Sequence, residues 1–273
     1  MINEEMNIAD RVWKWGKQTY IMGILNVTPD SFSDGGKYFD PASALKHAVQ
    51  MAEEGADIID VGGEATRPGF AVPISADEEI KRIIPIIQRL SKEIELPISI
   101  DTYKAKTAEI AVEAGAHMIN DIWGLKKDPE MADAVASCKV PVCIMHNRAN
   151  TEYENLMEDI LSELGESIEL AIKAGVKDEN IILDPGIGFG KTWEQNLTVM
   201  RNLDMLKKLG YPILLGASRK NFIGKTLELE INDRLEGTLA VTSIGIMKGA
   251  DIVRVHDVLQ NTRAAVMTDR IVR

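Results

Sequence analysis

The 273-residue chain is short of cysteine, of long apolar runs and of positive charge. Its two cysteines, Cys138 and Cys143, flank or sit in one apolar, strand-like stretch from Lys139 to Met145. That placement predicts reduced thiols rather than a disulfide framework or a metal pair. No apolar run approaches the ~18 residues that a membrane-spanning helix needs. Met1 to Gln18 carries Glu4, Glu5 and Asp10 without an apolar core, so no secretory signal is expected there and the expected location is the cytoplasm. Lys and Arg number 31 against 42 Asp and Glu, a formal net charge of −11. This balance argues against a broad nucleic-acid or membrane-binding face. It still admits a small anionic substrate, which needs only a local group of cations.

What is present is a repeat of short apolar runs, each followed by a helix-like stretch. Eight candidate strands can be read: Tyr20–Leu25, Ile58–Val61, Ile98–Ile100, Met118–Asn120, Val140–Met145, Ile181–Leu183, Ile213–Leu215 and Ile252–Val255. They are rich in Ile, Val and Leu without polar alternation, as in strands buried on both faces of a parallel sheet. Amphipathic segments lie between them: Ala42–Glu54, Ala76–Glu93, Lys104–Ala114, Asn155–Ala174 and Glu194–Leu209. Several close on glycine, at Gly55, Gly115, Gly175, Gly210 and Gly249, where a helix ends before a buried strand begins. Strand plus helix at roughly 34 residues per unit gives βα units and a parallel sheet. Eight such units predict an α/β fold, a (β/α)8 TIM barrel, in preference to an open doubly wound sheet. Ahead of the first strand, Val12–Trp15, Gly16-Lys17 and Gln18–Tyr20 read as a small hairpin plugging the amino-terminal mouth. No linker or composition break divides the chain, so residues 1–273 are expected to form one domain, with 1–18 as the hairpin.

In such a barrel the chemistry sits at the carboxyl ends of the strands. Here those ends are unusually polar. The first runs into a long loop from Asn26 through Phe32 and Asp34 to Gly36, and the second into another from Gly62 through Thr66, Arg67 and Pro68 to Gly69. The others reach Asp101-Thr102, Asn120-Asp121, His146-Asn147-Arg148, Asp184-Pro185-Gly186, Ser218-Arg219-Lys220 and Arg254-Val255-His256-Asp257. Helix capping suits Thr102, Asp121 and Asp257. It does not account for Asp101, Asn120, Asp184, Lys220 and Arg254, which a barrel points toward one shared mouth. Arg67, Arg219, Lys220, Arg254 and His256 form a cationic set suited to phosphate or pyrophosphate. Asp101, Asn120, Asp184 and Lys220 suit a ring edge with several N–H donors and a carbonyl, as in a fused aminopyrimidinone. His47 and His117 read as structural, and the sequence offers His146 no obvious partner. The run Gly186-Ile187-Gly188-Phe189-Gly190-Lys191-Thr192 imitates two nucleotide motifs and satisfies neither. Pro185 stands where a P-loop needs its first glycine, and Lys191 where a dinucleotide fingerprint needs its third.

The blocks MGILNVTPDSFSDGG, GGEATRPG, SIDTYKA, AGAHMINDIWG, LDPGIGFGKT, GASRK and VRVHDV, in this order from Met22 to Asp257, resemble bacterial dihydropteroate synthases. The resemblance implies a cytoplasmic folate-pathway transferase, a sulfonamide target. It would join p-aminobenzoate to 6-hydroxymethyl-7,8-dihydropterin pyrophosphate and release pyrophosphate. It implies a pterin pocket at Asp101, Asn120, Asp184 and Lys220. The pyrophosphate falls to Asn26, Arg67, Arg254 and His256, with Mg2+ near Asn26. The amine site is assigned to Thr66, Pro68, Phe189, Ser218 and Arg219, helped by Phe32. It also implies a homodimer packed through helices near the carboxyl end. Asp34 and Arg67 are the residues expected to meet only when the first two loops close over substrate. Ala65 departs from the family's usual Ser. Two other readings are a pterin-binding methyltransferase and a non-catalytic paralogue. The intact Asn26–Gly36 and Thr66–Gly69 blocks weigh against the first, and the retained Lys220 and Arg254 against the second.

Overall fold

The computed structural model describes residues 4–28, 41–65 and 73–273. An antiparallel hairpin of β1 (Glu5–Ile8) and β2 (Arg11–Lys14) comes first. The parallel strands β3 (Tyr20–Asn26), β4 (Ile58–Gly62), β5 (Ile98–Asp101) and β6 (Met118–Asp121) follow. They continue with β7 (Val142–Met145), β8 (Ile181–Asp184), β9 (Leu214–Leu215) and β10 (Ile252–Val255). Between them run α1 (Pro41–Glu53), α2 (Ala76–Glu93), α3 (Ala105–Glu113), α4 (Met131–Cys138) and α5 (Leu156–Ala174). Then come α6 (Trp193–Arg201), α7 (Asn221–Leu227), α8 (Leu235–Met247) and α9 (Val258–Val272). The strand order is β8-β7-β6-β5-β4-β3-β10-β9, and a parallel bridge between Leu183 and Ile213 joins the two ends. The sheet is therefore a closed (β/α)8 barrel, as the eight apolar runs predict.

Side-chain alternation along each strand makes two cores from one set of residues. Outward-facing Leu25, Ile59, Val61, Ile119, Ile144 and Leu183 pack under the helices. Helix α2 shows how its sequence meets them. Ser75 caps it by accepting from the Glu78 N–H, Asp77, Glu78 and Glu79 favour its positive end, and Ile83, Ile86, Ile87 and Leu90 form its buried stripe. Inward-facing Met22, Ile58, Met118, Cys143, Ile182, Leu214 and Ile252 fill the barrel.

The hairpin seals this inner core from below, with Met6, Ile8, Trp13 and Trp15 buried against Tyr20. Trp13 and Tyr20 stack with ring centres 4.1 Å apart. The plug is where the sequence places it, but its strands are not. The turn lies at Ala9-Asp10, with Ala9 left-handed at φ 53, and Glu5–Ile8 supplies the first strand. The Gly16 N–H donates to Asp251 and the Thr19 N–H to Asp269. These bonds carry Gly16-Lys17 straight into β3 instead of back along β2. A second difference lies in the stretch Glu194–Leu209, which breaks at Asn202 and continues as a 3-10 turn, Leu203–Leu209.

Candidate active site

Every sequence-predicted site residue within the described segments lines one cavity of about 340 Å³ at the carboxyl mouth. These are Asn26, Asp101, Asn120, Asp184, Phe189, Ser218, Arg219, Lys220, Arg254 and His256. Phe32, Asp34, Thr66, Arg67 and Pro68 lie outside the described residues. The volume suits one or two small rings. Ile24, Ile122 and Met145 supply apolar wall between the polar groups.

At the floor, Arg254 reaches from β10 across the barrel to two carboxylates. Its Nε donates to Asp60 Oδ2 at 2.5 Å and its Nη2 to Asp101 Oδ2 at 2.6 Å. Asn120 Nδ2 donates to the same Asp60 oxygen at 3.1 Å. Among the described residues, the other oxygens, Asp60 Oδ1 and Asp101 Oδ1, are buried without a hydrogen-bond partner. An unpaired buried carboxylate oxygen is costly, about 1–3 kcal/mol or more. Such oxygens are what a ligand with N–H donors relieves. Burial pushes the Asp101 carboxyl up to about 7 against the pull of Arg254, with Asp60 adding repulsion. Burial also works against charge on Arg254, but Asp60 and Asp101 more than restore it, so its affinity for the proton rises.

Asp184, at the end of β8, accepts from the Gly186 N–H through Oδ1 at 2.7 Å. Burial raises its pKa, with Lys220 opposing. Lys220 donates to the Ile187 carbonyl and lies 4.2 Å from the centre of the Phe189 ring. Burial lowers its pKa to about 8, Asp184 resisting and Arg254 contributing. Three carboxylates thus face two cations in one floor, burial drawing each of Asp101, Asp184 and Lys220 toward its neutral form. Shifts of this kind, combined with a cavity, mark a functional site.

The outer wall holds two surprises. His256, counted among the cations on sequence, is held to about 4 by burial and then by Arg254 and Arg219, so it enters as a neutral imidazole. Its Nδ1 lies 3.0 Å from Ser218 Oγ, and its backbone N–H donates to that oxygen. Asp257 heads α9 without a side-chain capping bond. Its carboxylate instead takes Arg219 in a two-point pair. Arg219 is left-handed at φ 55, and its N–H donates to Thr238 Oγ1. Asp121 holds a turn by accepting from the Trp123 and Leu125 N–H groups, and Thr102 accepts from the Lys104 N–H. Thr192, the imitation P-loop threonine, caps α6 in a capping box with Gln195.

Two buried groups escaped the sequence reading. Asp60 stands inside the run Ile58-Ile59-Asp60-Val61, and a carboxylate in an apolar strand was itself the signal. Lys191 stands out in the sequence only as the residue that spoils a dinucleotide fingerprint. His146, left without a partner, sits between Lys191 and Glu163. The His117 Nδ1 accepts from the Ile98 N–H, a structural role as expected.

Residues 22–256 match the pterin binding enzyme family. The chain belongs to that family, and its relatives there are dihydropteroate synthases. It is 63% identical over 269 residues to the dihydropteroate synthase of Clostridium beijerinckii, covering 98% of this chain and all of that one. It is 57% identical to that of Bacillus subtilis, over 93% of this chain and 88% of the relative. Among solved structures, the dihydropteroate synthase of Clostridium difficile in the presence of pteroic acid superposes with a TM-score of 0.93 at 56% identity, over 95% and 98% of the two chains. That of Xanthomonas albilineans with 4-aminobenzoic acid gives 0.93 at 39% identity, over 98% of each. No helix among the described residues is long and apolar enough to cross a membrane.

Proposed function

We propose that the cavity joins a dihydropterin, activated as its 6-hydroxymethyl pyrophosphate, to p-aminobenzoate, making 7,8-dihydropteroate. The observation carrying this reading is the free acceptor edge of the floor. Among the described residues Asp101 Oδ1 is buried and unpaired and Asp184 Oδ2 accepts no hydrogen bond, while Lys220 stands beside them. A pterin ring presents the complement. Its 2-amino and N3–H groups donate to Asp184, its carbonyl and N5 accept from Lys220, and Asp101 and Asn120 take the opposite edge. Relatives with pteroic acid or 4-aminobenzoic acid support the same assignment.

The leaving pyrophosphate falls to Asn26, Arg67, Arg254 and His256. The donor chemistry at Asn26 fits a divalent ion brought in on the substrate. Mg2+ is commonly held by one or two protein oxygens plus substrate phosphates, and here Asn26, whose side chain carries an amide oxygen, lines the cavity. Such an ion would neutralise charge developing on the departing group. Because an aromatic amine is a weak nucleophile, the C–O bond breaks first and pyrophosphate leaves with its electron pair. Asp101 and Asp184 stabilise the resulting pterin methyl cation. The amine nitrogen then bonds to the methylene carbon and loses its proton. Thr66, Pro68, Phe189, Ser218, Arg219 and Phe32 hold the amine, and Asp34 meets Arg67 as the loops close.

The test is pyrophosphate release by the purified chain with pterin pyrophosphate, Mg2+ and p-aminobenzoate, with and without the amine. Amine-dependent release with dihydropteroate formation is expected. Pterin binding without release would sink the reading and favour a methyltransferase or regulatory role. A large secondary deuterium effect at the methylene carbon should accompany the dissociative path, and a value near unity would remove it.

A homodimer through the carboxyl-terminal helices, working in the cytoplasm, completes the proposal. Ile244 and Met247 of α8 and Val266, Met267 and Ile271 of α9 are exposed apolar residues, up to 71% for Ile271. Exposed apolar side chains on two helices that pack together suit a second copy of the chain. Sedimentation analysis should show a dimer, and Met267→Glu with Ile271→Glu should shift it to a monomer.

A further inference from the structure

We propose that Lys191 is a positioning residue for the amine side of the cavity: locked onto His146, its ammonium fixes the β8–α6 loop that presents Phe189. The inference rests on the synthase reading above.

The Lys191 ammonium is a strange group to bury. The residue is 8% exposed, and among the described residues no carboxylate forms a salt bridge with it. It also precedes Thr192, the cap at the positive end of α6, where the helix dipole disfavours a cation. Burial lowers its pKa to about 7, Asp184 resisting and Lys220 contributing. A position held at such a cost needs a gain elsewhere, and the hydrogen bonds supply one.

In its protonated form Lys191 has three protons, and the three acceptors around it favour that form. Lys191 directs them to Gly186 O at 3.0 Å, Phe189 O at 3.1 Å and His146 Nδ1 at 2.9 Å. Two of the acceptors are carbonyls of the loop itself, one at its start and one on Phe189. The third is the anchor. Burial, then the charges of Lys191 and Arg148, hold the His146 pKa near 2, so the ring is neutral. With Nδ1 accepting, the proton sits on Nε2 and donates to Glu163 Oε2 of α5 at 3.1 Å. Glu163 Oε1 takes Arg148 Nε at 2.8 Å, and Arg148 lies over the Tyr153 ring. Tyr153 Oη returns to the loop by donating to Gly190 O at 2.7 Å.

Every carbonyl from Gly186 to Gly190 except that of Gly188 is therefore held by a side chain, the Ile187 carbonyl by Lys220. The backbone leaves no slack for adjustment. Gly186 has φ +70, and a Cβ there would collide with the His146 carbonyl. At Gly188, φ +85, it would sit 2.8 Å from Lys220 Cδ. Loosening Lys191 therefore displaces Phe189, which walls the amine side, while Asp101, Asn120 and Arg254 keep the opposite floor.

His146 permits a test with a built-in control, because the two amide side chains imitate different halves of imidazole. Asn keeps an acceptor near the Nδ1 position and loses Glu163. Gln keeps a donor near the Nε2 position and loses Lys191. In the full-length chain, Lys191→Met should raise KM for p-aminobenzoate about tenfold, one charged hydrogen bond, and leave KM for the pterin pyrophosphate within about twofold. His146→Gln should follow Lys191→Met, and His146→Asn should stay near the parent. Equal rises in both KM values, or indistinguishable Asn and Gln variants, would overturn the proposal. Should Lys191→Met not fold, the His146 pair still decides. Hydrogen exchange at the Gly188 and Phe189 amides reads the loop without substrate. It should quicken in His146→Gln and not in His146→Asn, so a chain that releases no pyrophosphate leaves this inference decidable by itself.

Discussion

The two ends of the barrel are made from the same strands, two residues apart, and have opposite economies. At the lower end stand Ile58, Met118, Ile182 and Ile252, and one step up the same strands stand Asp60, Asn120, Asp184 and Arg254. The lower layer is closed by Trp13, Trp15 and Tyr20 and gives the molecule apolar burial. The upper layer sets three buried carboxylates around a lysine and an arginine, and among the described residues it leaves two carboxylate oxygens without partners. Stability is stored below and spent above. A two-residue period lets one strand serve both purposes, because neither layer shares side-chain positions with the other.

The sharpest break in this comparison comes from the upper layer. Asp184→Ala should reduce kcat/KM about a hundredfold or more, since charged hydrogen bonds are worth ~1.5–3 kcal/mol each. Its melting temperature should hardly fall, because the change also removes a carboxylate whose burial costs stability. Amine-dependent pyrophosphate release and thermal melting, measured on one preparation, check both halves.

Trp13→Ala is the mirror experiment. Emptying that site should cost ~3–5 kcal/mol of stability, read by denaturant unfolding, while kcat/KM at low temperature stays within about threefold. A matching loss of activity would show that the two layers are coupled.

Asp60→Asn sharpens the boundary between them. It keeps the shape but removes the charge that Arg254 and Asn120 share. A loss of about tenfold in kcat/KM, one charged hydrogen bond, is expected, mostly through misplacement of Arg254.

The pH dependence gives smaller effects. Lys220, facing Asp184, Asp101 and Arg254, loses its proton near pH 8. Pterin affinity should decline above that pH, and Lys220→Arg should push the decline to higher pH. Stability has its own term. His146, depressed to about 2 in the folded chain, is protonated only after unfolding between there and its ordinary 6.5. It therefore destabilises the fold as pH falls below about 6.5. Between pH 7 and 5, His146→Asn should lose less melting temperature than the parent.

Much of the barrel was legible in the sequence because buried parallel strands have a local signature, continuous Ile, Val and Leu ending in polar residues. All eight runs became strands, and glycines such as Gly115 and Gly175 fell at left-handed helix ends. The hairpin was misplaced because its register depends on Asp251 and Asp269, more than 230 residues away. Ten of the expected residues line one cavity because strand ends can be counted along the chain. Lys191, Asp60 and the partners of His146 were not legible because their meaning is a contact between segments far apart in the sequence.

By itself the sequence determined the number of strands, which of their ends carry charge, and the family blocks around them, since each is written in neighbouring residues. Only the tertiary structure decided how those charges pair. Closing the sheet brought Arg254 to Asp60 and Asp101, Arg219 to Asp257 and Lys191 to His146. Burial in that closed mouth then set the protonation, leaving His256 neutral and Asp101 close to titrating. Distance and desolvation are properties of the folded chain, and no stretch of residues contains them.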